Sequence, residues 1–317
     1  MRAETGSMRD APCEPIPWRE RTVPRSIATP HLSWAAFGGT MQPPDRSRTE
    51  RKRVVEIERE RATLFDRGAE RYDRSRPGYP DALIDEVLGP SPRGLAVLDV
   101  GAGTGLASRL LAHRRAHVLG VELDPRMAEI ARRHGIATEV AAFEIWDPAG
   151  RTFDRVTCAQ AWDWLDPEVR TEKAASVLRP GGRLCLFWSV GHHPHALAEA
   201  LHAAYRRVLP ADAPRLVIGY GANDASDASD AQRDVRAVAD ALGACRQLSA
   251  PRVASFAWTR TYSRGEWLDQ LLSHTDHAAL APDLRYSLLG EIGEAIDRFG
   301  GRFDMTYATI LISASRI

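Results

Sequence analysis

The tightest constraint on this chain is the stretch Val97-Leu98-Asp99-Val100-Gly101-Ala102-Gly103-Thr104-Gly105, an apolar run that closes on an acid and then on glycines at alternate positions. Glycines so placed let a backbone turn tightly against a ligand that any Cβ would obstruct. The run ahead of them reads as a buried parallel strand, and Leu106, Leu110 and Leu111 behind them carry helical spacing. A loop between such a strand and such a helix lies where open α/β sheets bind ligands.

The spacing discriminates between two kinds of glycine loop. A dinucleotide fingerprint has the form G-x-G-x-x-G. Here Leu106 stands at its third glycine, and Asp99 precedes the first glycine by two residues, where that pattern is usually apolar. A second strand, His117-Val118-Leu119-Gly120-Val121-Glu122, ends in an acid 21 positions after Gly101. A carboxylate there accepts ribose hydroxyls and serves either kind of nucleoside ligand. Arg179-Pro180-Gly181-Gly182 then turns into the apolar strand Leu184-Cys185-Leu186-Phe187-Trp188.

Taken together, these motifs resemble those of class I S-adenosylmethionine-dependent methyltransferases over about residues 64–317. The resemblance extends to small-acid enzymes of the trans-aconitate type and to many secondary-metabolite enzymes. It implies a Rossmann-like α/β fold: a seven-stranded, mostly parallel sheet with an antiparallel C-terminal strand, helices on both faces and a helical lid. It also implies S-adenosyl-L-methionine as cofactor, held by Asp99, Gly101, Ala102, Gly103, Thr104, Gly105, Glu122 and Leu123.

The segment Phe65-Asp66-Arg67-Gly68-Ala69-Glu70-Arg71-Tyr72-Asp73, continued by Arg76-Pro77-Gly78-Tyr79-Pro80, is similar to the N-terminal cap of the same enzymes. In relatives it folds over the methionine end of the cofactor, which makes Tyr72 and Arg76 candidate contacts. The plainer alternative is that Tyr72 packs and Arg76 pairs with an acid. The loop at residues 143–147 is expected to close over the adenine. Many relatives place an aspartate at the position of Ala142, so Glu144 and the Phe143 amide stand in as candidates, with Glu144 as a turn cap the alternative.

Residues 153–160 resemble the family's fourth strand, and its C-terminal end faces the acceptor. Gln160 is placed with the cofactor residues. Trp162, next along the chain, and Tyr262, on an expected lid helix, are placed with the substrate. No N-P-P-Y sequence of the kind that holds a nucleobase amine follows this strand. Several relatives have A-x-H-W here, and Asp163 takes the histidine's place. Asp163, His274 and His277 are therefore the candidate catalytic groups, since imidazole titrates near neutral pH. Asp163 capping a following helix, with both histidines on the lid surface, is the alternative.

The remainder of the chain sets bounds. Residues 1–48 are rich in proline without an apolar period and read as a disordered tail, with partner binding through Trp18, Trp34 and Phe37, or a true start at Met41, as alternatives. Residues 51–61 read as a charged helix. Residues 49–317 read as the methyltransferase domain, with lid segments at about 49–80, 191–250 and 262–300. In 317 residues, Lys+Arg and Asp+Glu both number 42, so the overall charge points to neither nucleic acid nor a membrane surface. Cys13, Cys158, Cys185 and Cys245 form no C-x-x-C and read as reduced thiols, and no apolar run or leader pattern suggests insertion or export. A cytoplasmic location is the default. His192, His193 and His195 lack acid or thiol companions at zinc spacing, so no metal is expected. The function expected is methyl transfer to a small-molecule acceptor, with oxygen favoured over nitrogen or carbon. A non-catalytic cofactor-binding module and an NAD-type oxidoreductase are the alternatives.

Overall fold

The structure, a computed structural model, describes residues 68–210 and 225–317. The expected tail over residues 1–48, the charged helix at 51–61 and the lid residues 49–67 and 211–224 lie outside the described residues.

Seven strands form one sheet: β1 (Ala96–Val100), β2 (His117–Glu122), β3 (Ala137–Val140), β4 (Phe153–Ala159), β5 (Leu178–His192), β6 (Arg252–Ser263) and β7 (Arg302–Ser315). Their order is β3-β2-β1-β4-β5-β7-β6. β7 runs antiparallel to both neighbours, and the other strands run one way. The order reverses between β1 and β4, so the loops leaving these two strands flank the crevice at the switch point.

The described helices are α1 (Ala69–Ser75), α2 (Asp81–Leu88), α3 (Leu106–His113), α4 (Pro125–Arg133), α5 (Arg170–Ser176), α6 (His195–Val208), α7 (Ala225–Ala244), α8 (Arg264–Leu271), α9 (Thr275–Ala278) and α10 (Pro282–Arg298). Local chemistry sets several ends. The Asp124 side chain accepts from the Arg126 amide at 2.9 Å ahead of Pro125, satisfying a donor that α4 leaves open. Ser263 and Glu266 form a reciprocal capping box on α8.

Alternation along the strands divides the core. Leu98, Val156, Leu184, Leu186 and Ile312 face one side with Trp146, Trp162, Ala174 and Leu242. Val97, Cys185, Phe187 and Leu311 face the other with Leu83, Ile84, Val87 and Leu88 of α2 and Leu111 of α3. On that second face, but farther along β7, Phe303, Met305 and Tyr307 pack against Leu197 and Leu201 of α6, Trp267 of α8 and Ile292 of α10. Between these two cores β7 places Thr309 and β5 places Ser189, both buried. A polar belt thus interrupts an otherwise apolar face.

Two details depart from the sequence reading. β6 continues to Ser263 in unbroken register with β7, so Tyr262 sits on a strand, not a helix, opposite Phe303. The turn Pro180-Gly181-Gly182 is a bulge inside β5, where the register with β4 shifts. β3 ends at Val140, and Ala142 already lies in the next turn, its carbonyl accepting from the Ile145 and Trp146 amides. α7 starts at Ala225, and Val238 and Leu242, farther along it, pack into the core on the first face of the sheet.

Candidate active site

The glycine loop is built by close approach. Gly101 has φ of +66°, and a Cβ there would stand 2.5 Å from the Ala161 Cβ, so β1 and the loop after β4 touch where glycine alone fits. Gly103, at φ +57°, differs: an added Cβ would meet nothing within 4 Å and would project into open space. The Gly101 and Ala102 amides donate to the Val121 carbonyl at 2.9 and 3.2 Å, tying the loop to the end of β2.

Glu122 sits at that end. Its carboxylate accepts from the Gly103 amide at 2.8 Å and from the Asp124 amide at 2.9 Å. Burial pushes its carboxyl above the ordinary range, while the Asp124, Gly103 and Leu123 amides pull it back. Thr104 is buried, and among the described residues its Oγ1 has no hydrogen-bond partner.

Asp99 plays a different part from the one expected. It is fully buried beneath the loop, accepting from Ser108 Oγ at 2.5 Å and Thr157 Oγ1 at 2.8 Å. It bridges α3 and β4 and so braces the glycine loop from below. Desolvation pushes its carboxyl up to about 6, against the lowering effect of the two hydroxyls.

Gln160, leaving β4, adopts a left-handed φ of +60°, strained for a residue with a Cβ. Its amide donates to the Phe187 carbonyl at 3.0 Å and its Nε2 to the Ser189 carbonyl at 3.3 Å, holding it at the edge of the polar belt. Trp162 is not a lining residue: it is buried in the main core with Arg170 over its ring, because the one-turn 3-10 helix at Trp162–Trp164 turns its indole inward. Asp163, on the same turn, is exposed, accepts from Trp188 Nε1 at 3.2 Å and lies 3.9 Å from Arg170. It caps no helix, since α5 begins only at Arg170.

On the adenine side, Phe143 is buried and stacks with Trp146 at 6.4 Å. Glu144 Oε1 accepts from the Asp166 amide at 2.8 Å, so the turn-capping alternative describes this oxygen. In the cap segment Tyr72 packs beside Met127 and Ile130 of α4 and lies under the Arg76 guanidinium at 4.7 Å. Arg76 donates to the Ser273 carbonyl at 3.4 Å, linking α1 to the lid.

Neither lid histidine lies on the lid surface: His277 is buried and His274 half-buried, with ring centroids 6.0 Å apart. His277 bonds the Tyr205 hydroxyl through Nε2 at 2.6 Å and Asp276 through Nδ1 at 2.9 Å. Burial, reinforced by the Arg76 charge, pushes the His274 imidazole well below its ordinary value, which keeps it neutral and weakly basic. Tyr262 is buried, its hydroxyl 2.7 Å from that of Tyr307 and its ring beneath Arg260. His193 is wedged between Trp267 and Phe303, and burial takes its imidazole down to about 3.

Sequence reasoning missed Ser189, Thr309, Trp258 and Tyr205. The Ser189 and Thr309 hydroxyls are 2.8 Å apart, and Trp258 Nε1 donates to Thr309 Oγ1 at 2.9 Å. The available signal was the period of two at Phe256, Trp258, Arg260 and Tyr262 on an edge strand. A surface hollow of about 480 Å³ lined by Arg109, His113 and His134 contains neither Glu122 nor the glycine loop, and its chemistry is separate.

Residues 97–182 match the methyltransferase domain family, spanning the glycine loop, Glu122 and β4. An uncharacterized methyltransferase of Mycobacterium bovis is 36% identical over 139 residues, 41% of this chain and 54% of that protein. A ubiquinone biosynthesis O-methyltransferase of Xanthomonas axonopodis is 35% identical over 129 residues, 38% of this chain and 54% of that protein. The matched region thus spans about half the length of these curated relatives. The solved structure of a proposed type II methyltransferase from Anaeromyxobacter dehalogenans aligns with a TM-score of 0.54 at 21% identity, covering 75% of this chain and 97% of that one, a likeness of fold.

The methyltransferase domains of this class take their methyl group from S-adenosylmethionine, and the site fits that molecule on its own chemistry. Gly103 leaves open the space that a Cβ would fill, Glu122 presents a carboxylate beside it, and Thr104 supplies an unbonded hydroxyl.

Proposed function

We propose that this protein is an S-adenosylmethionine-dependent methyltransferase acting on a small-molecule acceptor, with oxygen the favoured atom. The observation that carries the reading is the coupling of Glu122 to the Gly103 amide at the switch point between β1 and β4. Glu122 would hold the ribose diol and the loop at residues 101–105 the adjoining chain, with Phe143 beside the adenine and Tyr72 and Arg76 toward the methionine end. The bound cofactor supplies an electrophilic methyl group on sulfur.

The protein's own work is alignment and exclusion of water. Gln160, held by two bonds to β5, fixes the strand-four end beside which the acceptor approaches. Bringing donor and acceptor into line inside a closed crevice supplies most of what such a displacement needs. A hydroxyl acceptor has a proton to lose, and Asp163 is the exposed carboxylate at that strand end. The ubiquinone O-methyltransferase relative supports oxygen as the acceptor atom.

The test is incubation of the purified full chain with methyl-labelled cofactor and a metabolite extract, followed by identification of labelled species. The reading expects one or a few labelled small molecules, acid- or base-stable as an ether or ester linkage dictates. Label retained only in the donor, by protein that binds S-adenosylhomocysteine, would leave a binding module instead.

A further inference from the structure

The polar belt carries one aromatic ring whose role in the fold is incomplete. Tyr262, Tyr307 and Trp267 are wholly buried in the lid core, and Phe303 nearly so. Trp258 belongs to the same aromatic cluster, yet it is half-buried. One face of its indole stacks on Tyr307 at 4.4 Å and 16°, and its Nε1 is fixed to Thr309. A ring held by one face and one edge has its orientation set while keeping surface to offer.

Its position gives that surface a use. Thr309 Oγ1, which holds Trp258, also bonds Ser189 Oγ, and the Ser189 carbonyl receives Gln160 Nε2. The chain of contacts from Gln160 through Ser189 and Thr309 therefore runs from the end of β4 across β5 and β7 to Trp258 on the edge strand β6, on the sheet face where the two cores part. We infer that Trp258 is the specificity-determining residue of the acceptor site and that the acceptor is a planar aromatic molecule that stacks on its indole. This inference rests on the methyltransferase reading above and names its substrate class. It moves the recognition role from Trp162 and Tyr262, both enclosed in cores, to a residue that reaches the belt.

Two measurements test it. In calorimetry with and without S-adenosylhomocysteine, 2-naphthol is predicted to bind the native chain more tightly than the saturated decahydro-2-naphthol. Trp258→Leu should weaken 2-naphthol by at least about fivefold, and Trp258→Phe, which keeps a ring, by less. Affinity for S-adenosylhomocysteine and the melting temperature of Trp258→Phe should stay near native. In the labelled-extract experiment the methylated product should carry an aromatic ring, with Trp258→Leu raising KM more than it lowers kcat. An aliphatic product, equal binding of the saturated analogue, or 2-naphthol affinity unmoved by Trp258→Leu overturns the assignment while methyl transfer stands. If no label moves at all, the methyltransferase reading fails, and the 2-naphthol titration still decides the aromatic site by itself.

Discussion

The half of the sheet from β1 to β4 and the half from β5 to β7 build their parts of the crevice in opposite ways. In the first, the frame is mainly backbone: the amides of Gly101, Ala102 and Gly103 are set by glycine conformation and tie the loop to the end of β2, with partners about 20 residues away in sequence. In the second, they are side chains brought together across 45 to 120 residues, as in Tyr262 with Tyr307 and Ser189 with Thr309. A backbone site tolerates little variation where, as at Gly101, a substitution meets the chain itself. A side-chain site can be rebuilt pair by pair, which suits a donor common to many enzymes beside an acceptor particular to each.

Substitution at the first half should therefore produce the largest effect. Gly101→Val combines a positive φ with a Cβ 2.5 Å from that of Ala161. Overpacking and backbone strain together are expected to cost about 3 kcal/mol or more and to abolish cofactor binding. Urea unfolding and calorimetry measure both, and a valine variant of native stability would mean the two loops are free to separate.

Thr309→Val probes the second half. It keeps the shape of a fully buried side chain while removing the hydroxyl that serves Ser189 and Trp258, with an expected loss of about 2 kcal/mol. Affinity for S-adenosylhomocysteine should stay within about twofold, because the pair lies outside the glycine loop. Equal damage to stability and to cofactor affinity would erase the distinction between the halves.

A smaller effect isolates the brace under the loop. Burial raises the folded-state carboxyl of Asp99 to about 6, above its unfolded value, so protonation favours the native state. The resulting stability is fully present below the unfolded pKa and is lost as pH rises through about 6. Native protein should thus gain about 1 kcal/mol relative to Asp99→Asn on going from pH 7 to pH 5. A difference between the two that does not change with pH would show that Asp99 titrates normally.

The same contrast explains what was legible in the sequence. The buried strand ahead of the glycine loop, the helix behind it and the terminal acid of β2 are local signals, and each lies where its pattern placed it. Trp162 and Tyr262 were misplaced as recognition residues because the inward turn of one and the long strand under the other depend on distant packing partners. The partnership of His277 with Tyr205 joins positions 72 residues apart and leaves no periodic trace. Asp99 was visible as an acid before the loop, but its burial between Ser108 and Thr157 follows from the approach of α3 and β4.

The central claim is that Glu122, locked to the Gly103 amide, holds the nucleoside of the methyl donor. Titration of S-adenosylhomocysteine into native protein and Glu122→Gln, with melting temperatures recorded alongside, tests it most directly. Loss of charge-assisted hydrogen bonds worth about 1.5–3 kcal/mol predicts an affinity about 10 to 100 times weaker in a variant that still folds. Native affinity in a folded Glu122→Gln protein would contradict the account and place the donor elsewhere.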